Sequence, residues 1–295
     1  MWSYLRLYAS IEDLSRNIRY KISKMIISVI TINYNNSTGL RKTIQSVIAQ
    51  TYNNIEYIVI DGGSTDGSKS IIEEYEKDID FWVSEPDGGI YPAMNKGTSH
   101  AHGDYCIYMN SGDTFYSKDV LQKVVDSNPK EDIVCGDLCI GDNIIPNPDE
   151  VTMKVFYRST LYHQATFIRT SLIKAYPYDE SMRSAADWKF LMHSLIFHDA
   201  SYRHISMPIA IFETGGLSDS NSSIGRKEVE EELQRCLPKR ILEDYRDYCY
   251  GVTPFRQMMN KVEVIPPVRK IIYNTNRIVL KVLNIWLHTK WIKDL

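Results

Sequence analysis

The sequence predicts an α/β fold, a mostly parallel sheet covered by helices on both faces, and three observations predict it. Through the first half, continuous β-branched apolar runs alternate with stretches of helical period. Three of those runs end in clusters of Asn, Asp, Gly, Ser and Tyr. The composition, 43% hydrophobic and 24% charged over 295 residues, is that of a globular chain with a large core and about two domains' length.

The first strand lies in "KMIISVITINYNN" (24–36), a run apolar enough for burial on both faces. In "STGLRKTIQSVIAQ" that follows, Leu40, Ile44, Val47 and Ile48 fall on one helix face. "IEYIVIDGGSTDGS" (55–68) repeats the scheme with "SIIEEYEK" as its helix. Ser68 or Asp66 is expected to cap that helix. "IDFWVSEPDGG" supplies a third strand, "IYPAMNKGTSHA" a helix, and "DYCIYMNSGD" (104–113) a fourth strand. Residues 131–173 read as further strands and turns with one helical start; 182–198 as a helix; 200–216 as a strand leaving into a Gly-rich loop. From 224 onward the pattern is helical, broken at Pro238, Pro254, Pro266 and Pro267.

The net charge is −3, but it is unevenly spread. Arg6, Arg16, Arg19, Lys21 and Lys24 face only Glu12 and Asp13 in 1–24, and seven basic residues face Glu263 and Asp294 in 261–295. The body between is acidic, which argues against nucleic acid as a partner, since phosphate neutralisation needs clustered Lys and Arg. Five scattered cysteines form no paired metal spacing and no disulfide framework. No apolar run approaches the ~20 residues that cross a bilayer, and the start carries no cleavage-site pattern, so a cytoplasmic location is expected.

In open α/β sheets ligands bind beyond the carboxyl ends of the strands. Here three such ends, "TINYNN" (31–36), "DGGSTDGS" (61–68) and "NSGD" (110–113), can face one pocket. Each alone is also what a turn uses. No G-x-G-x-x-G and no G-x-x-x-x-G-K-[ST] occurs, which removes the dinucleotide and P-loop readings. Asp113 is a hard oxygen ligand, and a magnesium or manganese ion sharing substrate phosphates needs only one or two protein carboxylates. Gly112 beside it leaves clearance for a diphosphate.

These segments, with "SEPDGGIYPAMNKG", "HQATFIR", "AADWKFL" and "GGLS" following in order over 27–218, resemble the family-2 inverting glycosyltransferases of the GT-A fold, most closely a bacterial subgroup that builds surface polysaccharides. The resemblance implies that Tyr34 packs on the nucleotide base and Asp61 accepts from its ring nitrogen. It sets Asp87, Asn95 and Lys96 near ribose and phosphates, with Asn110 and Ser111 on the nucleotide sugar. It makes Asp113 the ligand of a divalent metal, Mn2+ or Mg2+, although Asn110 and Gly112 stand where acids are usual. It makes Asp187 the catalytic base, against the plain alternative of an exposed acid in a helix's first turn. Ala185 and Ala186 would leave room for an acceptor, and Trp188 would offer its sugar a flat face. His163 is either a metal or phosphate contact or a satisfied histidine at a strand start. Gly215 and Gly216 belong either to a loop closing over the sugar or to a simple turn.

The implied activity is inverting, metal-assisted transfer of a sugar from a nucleotide diphosphate sugar, expected to be a UDP-sugar, to a saccharide or lipid-linked acceptor. A sugar nucleotidyltransferase and an inactive nucleotide-sugar binding module are the alternatives. The chain divides into an amphipathic extension (1–24), a GT-A domain (25–222, with a nucleotide-sugar half 25–115 and an acceptor half 116–222) and a helical region (223–295). The basic termini suit either a membrane interface, at the inner face of the cell membrane, or a helical pair or homodimer contact.

Overall fold

The computed structural model describes residues 25–213 and 222–249, together with positions 271, 274 and 275. The terminal extensions, and the Gly215 and Gly216 expectation, lie outside the described residues.

Four parallel strands form one half of a nine-stranded sheet: β1 (Ile27–Asn33), β2 (Ile55–Asp61), β3 (Phe81–Ser84) and β4 (Tyr105–Tyr108). Every residue of β1 is buried, as its unbroken apolar run requires. Helix α1 (Ser37–Ile48) packs Leu40, Ile44 and Val47 against the Val29, Val59 and Ile107 face. Ile48 departs from the expectation and is exposed. At about 100° per residue, the stripe runs through Thr43 and Val47 instead and leaves Ile48 at its edge. Helix α2 (Ser68–Glu74) follows β2, and α3 (Ile90–His100) covers the sheet's other face. A Cβ on Gly97 would meet Ile30 Cγ2 at 2.5 Å, so α3 lies directly on β1.

The other half of the sheet is mixed. Strand β5 (Thr114–Phe115) and helix α4 (Val120–Asp126) come first, then β6 (Ile133–Ile140), β7 (Asn143–Ile145), helix α5 (Met153–Arg158), β8 (Thr166–Arg169), helix α6 (Thr170–Ala175), helix α7 (Ala186–Met192) and β9 (Tyr202–Phe212). The order is β3-β2-β1-β4-β8-β6-β9-β5, with β7 beside β6. Strand β8 runs antiparallel to both β4 and β6, whereas β9 runs parallel to β6. The segment expected to hold one helical start holds two short helices.

Two features of this topology set the site. The register aligns Asn33 with Asp61 and Asp61 with Ser84, so three polar strand ends stand side by side. The fourth strand is shorter than its sequence suggested: it ends at Tyr108, and "NSGD" is a turn closed by Asp113 N to Asn110 O at 2.9 Å. That turn still follows β1, through Met109 N to Ile30 O and Ser111 N to Ile32 O. Pairing of β5 with the end of β9 then brings Glu213 beside Asp113.

Helix α8 (Ser222–Cys236) closes the first compact unit, which ends at Cys236. The second unit, described by itself, begins with α9 (Lys239–Cys249), whose Leu242 amide donates to Pro238 O. Among the described residues, no helix is long and apolar enough to cross a membrane.

Candidate active site

The deepest part of the site is the carboxylate of Asp61, fully buried at the end of β2. Its Oδ1 accepts from Asn33 Nδ2 (2.6 Å) and Ser64 Oγ (2.5 Å), and its Oδ2 from Ser84 Oγ (2.6 Å) and Ser64 N (3.0 Å). Burial pushes its pKa up, but these hydrogen bonds outweigh burial and hold the group below the usual carboxylate value. A carboxylate offers about four lone-pair directions, so a base bound to Asp61 would replace one of these donors. Asn33 Oδ1, by contrast, is buried without a partner.

Tyr34, just after β1, is 63% exposed. A Cβ on Gly62 would stand 2.9 Å from Asp87 Oδ2 and 3.2 Å from Tyr34 Cδ2. The structure therefore gathers Tyr34 and Asp87 over the residue next to Asp61, which makes a shelf with a flat ring and an acid at its rim. Asp66 ties the loops below: Oδ2 accepts from Ser37 N at the start of α1, and Oδ1 from Ser68 N and Oγ at the start of α2. The cap residue of α2 is Gly67, not either of the expected pair, and Asp66, one position ahead of Gly67, accepts from the helix's first amide.

Lys96 pairs with Glu85 at 2.9 Å, one residue from Pro86 and two from Asp87. Asn95 is occupied otherwise. Its Nδ2 donates to Tyr178 O (2.8 Å) and Glu180 Oε1 (2.9 Å), and its Oδ1 accepts from Tyr178 N (3.0 Å). Its amide fastens the 178–180 loop to α3; both N–H groups expected near the phosphates are already used.

In the "NSGD" turn, Asp113 is 4% exposed and accepts from Glu213 N at 3.1 Å through Oδ1. Burial raises its pKa to about 7, against the lowering effect of the Glu213 amide and nearby His163. Gly112 has a φ of +108°, which favours glycine. A side chain there would also collide with Glu213, whose Oε2 lies 2.4 Å from the position of its Cβ. Glu213, which sequence reading missed, thus occupies the space of the absent acid at 112; its Oε1 pairs with Lys42 at 2.6 Å. The Asn110 Oδ1 is buried without a partner. A buried carboxylate, a second carboxylate over Gly112 and an unpartnered amide oxygen are hard oxygen donors, and they fit a divalent cation. Ser111 contributes its carbonyl to Asn36 Nδ2 (3.0 Å), so its backbone helps fix this turn to α1.

Asp187 sits in the first turn of α7, but it is not an exposed acid: its side chain is 14% exposed. Tyr91 Oη donates to Oδ1 (2.8 Å), and His163 Nδ1 lies 3.2 Å from Oδ2. Burial raises its pKa, yet His163, Tyr91 and the Trp188 amide outweigh that and hold it below the ordinary value. The other nitrogen of His163, Nε2, lies 3.3 Å from Asn110 Nδ2. Both ring nitrogens of His163 thus lie within hydrogen-bond reach of a side chain.

Trp188 is a correction. It is 4% exposed, its indole N–H donates to Phe156 O at 2.8 Å, and its ring packs edge-on against Phe156. One step along a helix turns a side chain about 100°, so Trp188 points into the core when Asp187 points to the site. Ala185 and Ala186 are likewise buried, at 4% and 1%, and give close packing instead of acceptor room. The loop ahead of α7 is held from α8: Glu228 accepts from the amides of Arg183 (2.7 Å), Ser184 (3.0 Å) and Ala185 (3.0 Å). Lys189 adds ion pairs to Asp179 (2.6 Å) and Glu232 (3.4 Å). Glu228 and Glu213 carried no motif, and Tyr91 was not singled out within its motif segment; the tertiary fold identifies all three.

A mostly parallel sheet with adjacent polar strand ends, and a lean acidic turn after β4, is the GT-A arrangement. "Glycosyl transferase family 2" matches residues 28–172, and the chain belongs to that family. It is 36% identical over 180 residues to an uncharacterized glycosyltransferase of Mycobacterium tuberculosis, covering 58% of this chain and 69% of that protein. It is 26% identical over 204 residues to a PGL/p-HBAD biosynthesis glycosyltransferase of Mycobacterium bovis, covering 66% and 80%. The fold is shared with TarS 1–349 of S. aureus in complex with UDP-GlcNAc, at TM-score 0.60 and 19% identity, covering 77% of this chain and 73% of that one; the chain spans 44% of the longer TarS chain. It is also shared with mannosyltransferase PcManGT from Pyrobaculum calidifontis in complex with GDP-Man and Mn2+, at TM-score 0.56 and 16% identity, covering 84% and 83%.

Proposed function

We propose that this glycosyltransferase moves a sugar from a UDP-sugar to a saccharide or lipid-linked acceptor by a single inverting displacement. The observation that carries the reading is the Asp187 carboxylate, fixed by Tyr91 and His163 and joined through His163 to Asn110 of the donor-side turn. One carboxylate suffices for this chemistry. The acceptor hydroxyl gives its proton to Asp187, its oxygen bonds the sugar's anomeric carbon, and the bond to the diphosphate breaks with its electron pair leaving on UDP. Because Asp187 is held below the ordinary pKa, it stays ionised at neutral pH and takes the proton as the new bond forms. The base would rest on Tyr34 above Asp61, while Lys96 faces the growing charge of the leaving group. Asp113, with Asn110 Oδ1 and Glu213, would hold a divalent cation, which supplies positive charge to the departing diphosphate.

Asp187→Asn should abolish transfer and leave UDP binding intact; retained transfer would remove the base assignment. A screen of UDP-, GDP- and dTDP-sugars for thermal stabilisation, with and without manganese, identifies the donor. For the basic termini we favour attachment to a lipid surface that presents the acceptor, on their charge and apolar residues. Full-length protein should float with anionic liposomes and a chain ending near residue 260 should not; equal flotation would reject it.

A further inference from the structure

The contact between His163 and Asp187 has a direction that the chemistry of the two groups fixes. An ionised carboxylate only accepts, so at 3.2 Å from Asp187 Oδ2 the His163 Nδ1 must carry the proton. The group facing the other ring nitrogen, Nε2, is the Asn110 Nδ2, a donor, at 3.3 Å, so Nε2 is placed to accept. With the amide turned that way, Asn110 Oδ1 is the atom left without a partner. A side chain from the donor-side turn therefore sets the tautomer of the ring that orients the base. On the far side, Tyr91 Oη donates to Oδ1, so neither carboxylate oxygen is free to turn. His163 is 13% exposed at the side chain, and the short turn His163–Ala165 that presents it leads straight into β8, between β4 and β6.

We propose that His163 is a positioning residue: it holds Asp187 in the orientation that receives the acceptor proton, and Asn110 locks His163 in the Nδ1–H tautomer. The continuous chain Asn110–His163–Asp187–Tyr91 thereby links donor-side and acceptor-side halves of the reaction. This rests on the transferase reading above, and it gives His163 a place other than the metal. A change of ligands around Asn110 reaches the base through one hydrogen bond to the ring.

The test uses two variants and one spectrum. In His163→Asn the shorter amide can place an N–H where Nδ1–H stood, whereas in His163→Gln the amide reaches the Nε2 position instead. His163→Asn should keep kcat within about tenfold, and His163→Gln should lose about a hundredfold. Both should bind UDP in the presence of manganese, by calorimetry, as the unaltered protein does. Equal kcat in the two variants, or loss of manganese-dependent UDP binding in either, would overturn the proposal; the latter would make His163 a metal ligand. Independently of turnover, imidazole 15N NMR of the full-length protein, with the His163 signal assigned from the variants, should show the Nδ1–H tautomer. The Nε2–H tautomer would overturn the proposal even in a protein that transfers sugar. If no sugar nucleotide is turned over by the unaltered protein while the Nδ1–H tautomer is found, the transferase reading is what fails.

Discussion

Replacing Glu228 by Ala should cost about 2 kcal/mol of folding stability, and the structure supplies the terms of that figure. The Glu228 carboxylate accepts from three successive amides, Arg183, Ser184 and Ala185, at 2.7, 3.0 and 3.0 Å. The Arg183 contact is exposed, so water replaces it at little cost. The other two are partly buried and involve an ionised acceptor, each contributing about 1–1.5 kcal/mol. The bonds share one carboxylate and do not add fully. The measurement is urea unfolding followed by far-UV circular dichroism, with the slope against urea unchanged, since the same surface is exposed. Glu228→Gln keeps one oxygen acceptor but loses the second and the charge, so it should show about half the loss. A loss below about 0.5 kcal/mol for the Ala variant would refute the reasoning, because it is less than a single such bond contributes. The same loop leads into α7 and Asp187, so kcat should fall with stability while UDP binding holds.

Two other outcomes follow from the same geometry. Asp113→Ala should lose manganese-dependent UDP binding by calorimetry while its weak metal-free binding persists; binding unchanged with and without metal would show that Asp113 is no ligand. His204 Nε2 and Nδ1 lie 2.7 Å from Asp137 and 2.7 Å from Asp149; burial alone would lower its pKa, but the two carboxylates outweigh burial and raise it above 6.5. Its protonation therefore stabilises the fold fully below pH 6.5, the unfolded value, and this is lost as pH rises through the higher folded value. The stability advantage of the unaltered protein over His204→Gln should shrink as pH rises above 6.5, and a constant difference would exclude the pairing.

Much of the parallel half of the sheet was legible because its signals are local. The unbroken run of β1 and the alternation with α1, α2 and α3 state a parallel sheet, and strand ends in such a sheet face one way. Tyr34, Asp61 and Asp87 are reached by residues adjacent in sequence to those ends, and the fold gathers Tyr34 and Asp87 over Gly62. Helical period also predicted most of the buried stripe of α1, missing only at Ile48, where the choice between edge and centre depends on what packs alongside.

The sequence by itself determined the layered fold and the polar strand ends, since periodicity is written residue by residue, and its family resemblance singled out Asp113 and Asp187. Tertiary structure alone decided what those acids touch. Glu213 fills the space over Gly112 because β5 pairs with the end of β9. Asn95 is drawn to the 178 loop, and Trp188 is turned inward by one helical step. Asp187 meets Tyr91 and His163, 96 and 24 residues away. Hydrogen bonds over such separations depend on strand order and register, which no local pattern encodes; they fix the orientation of a buried acid.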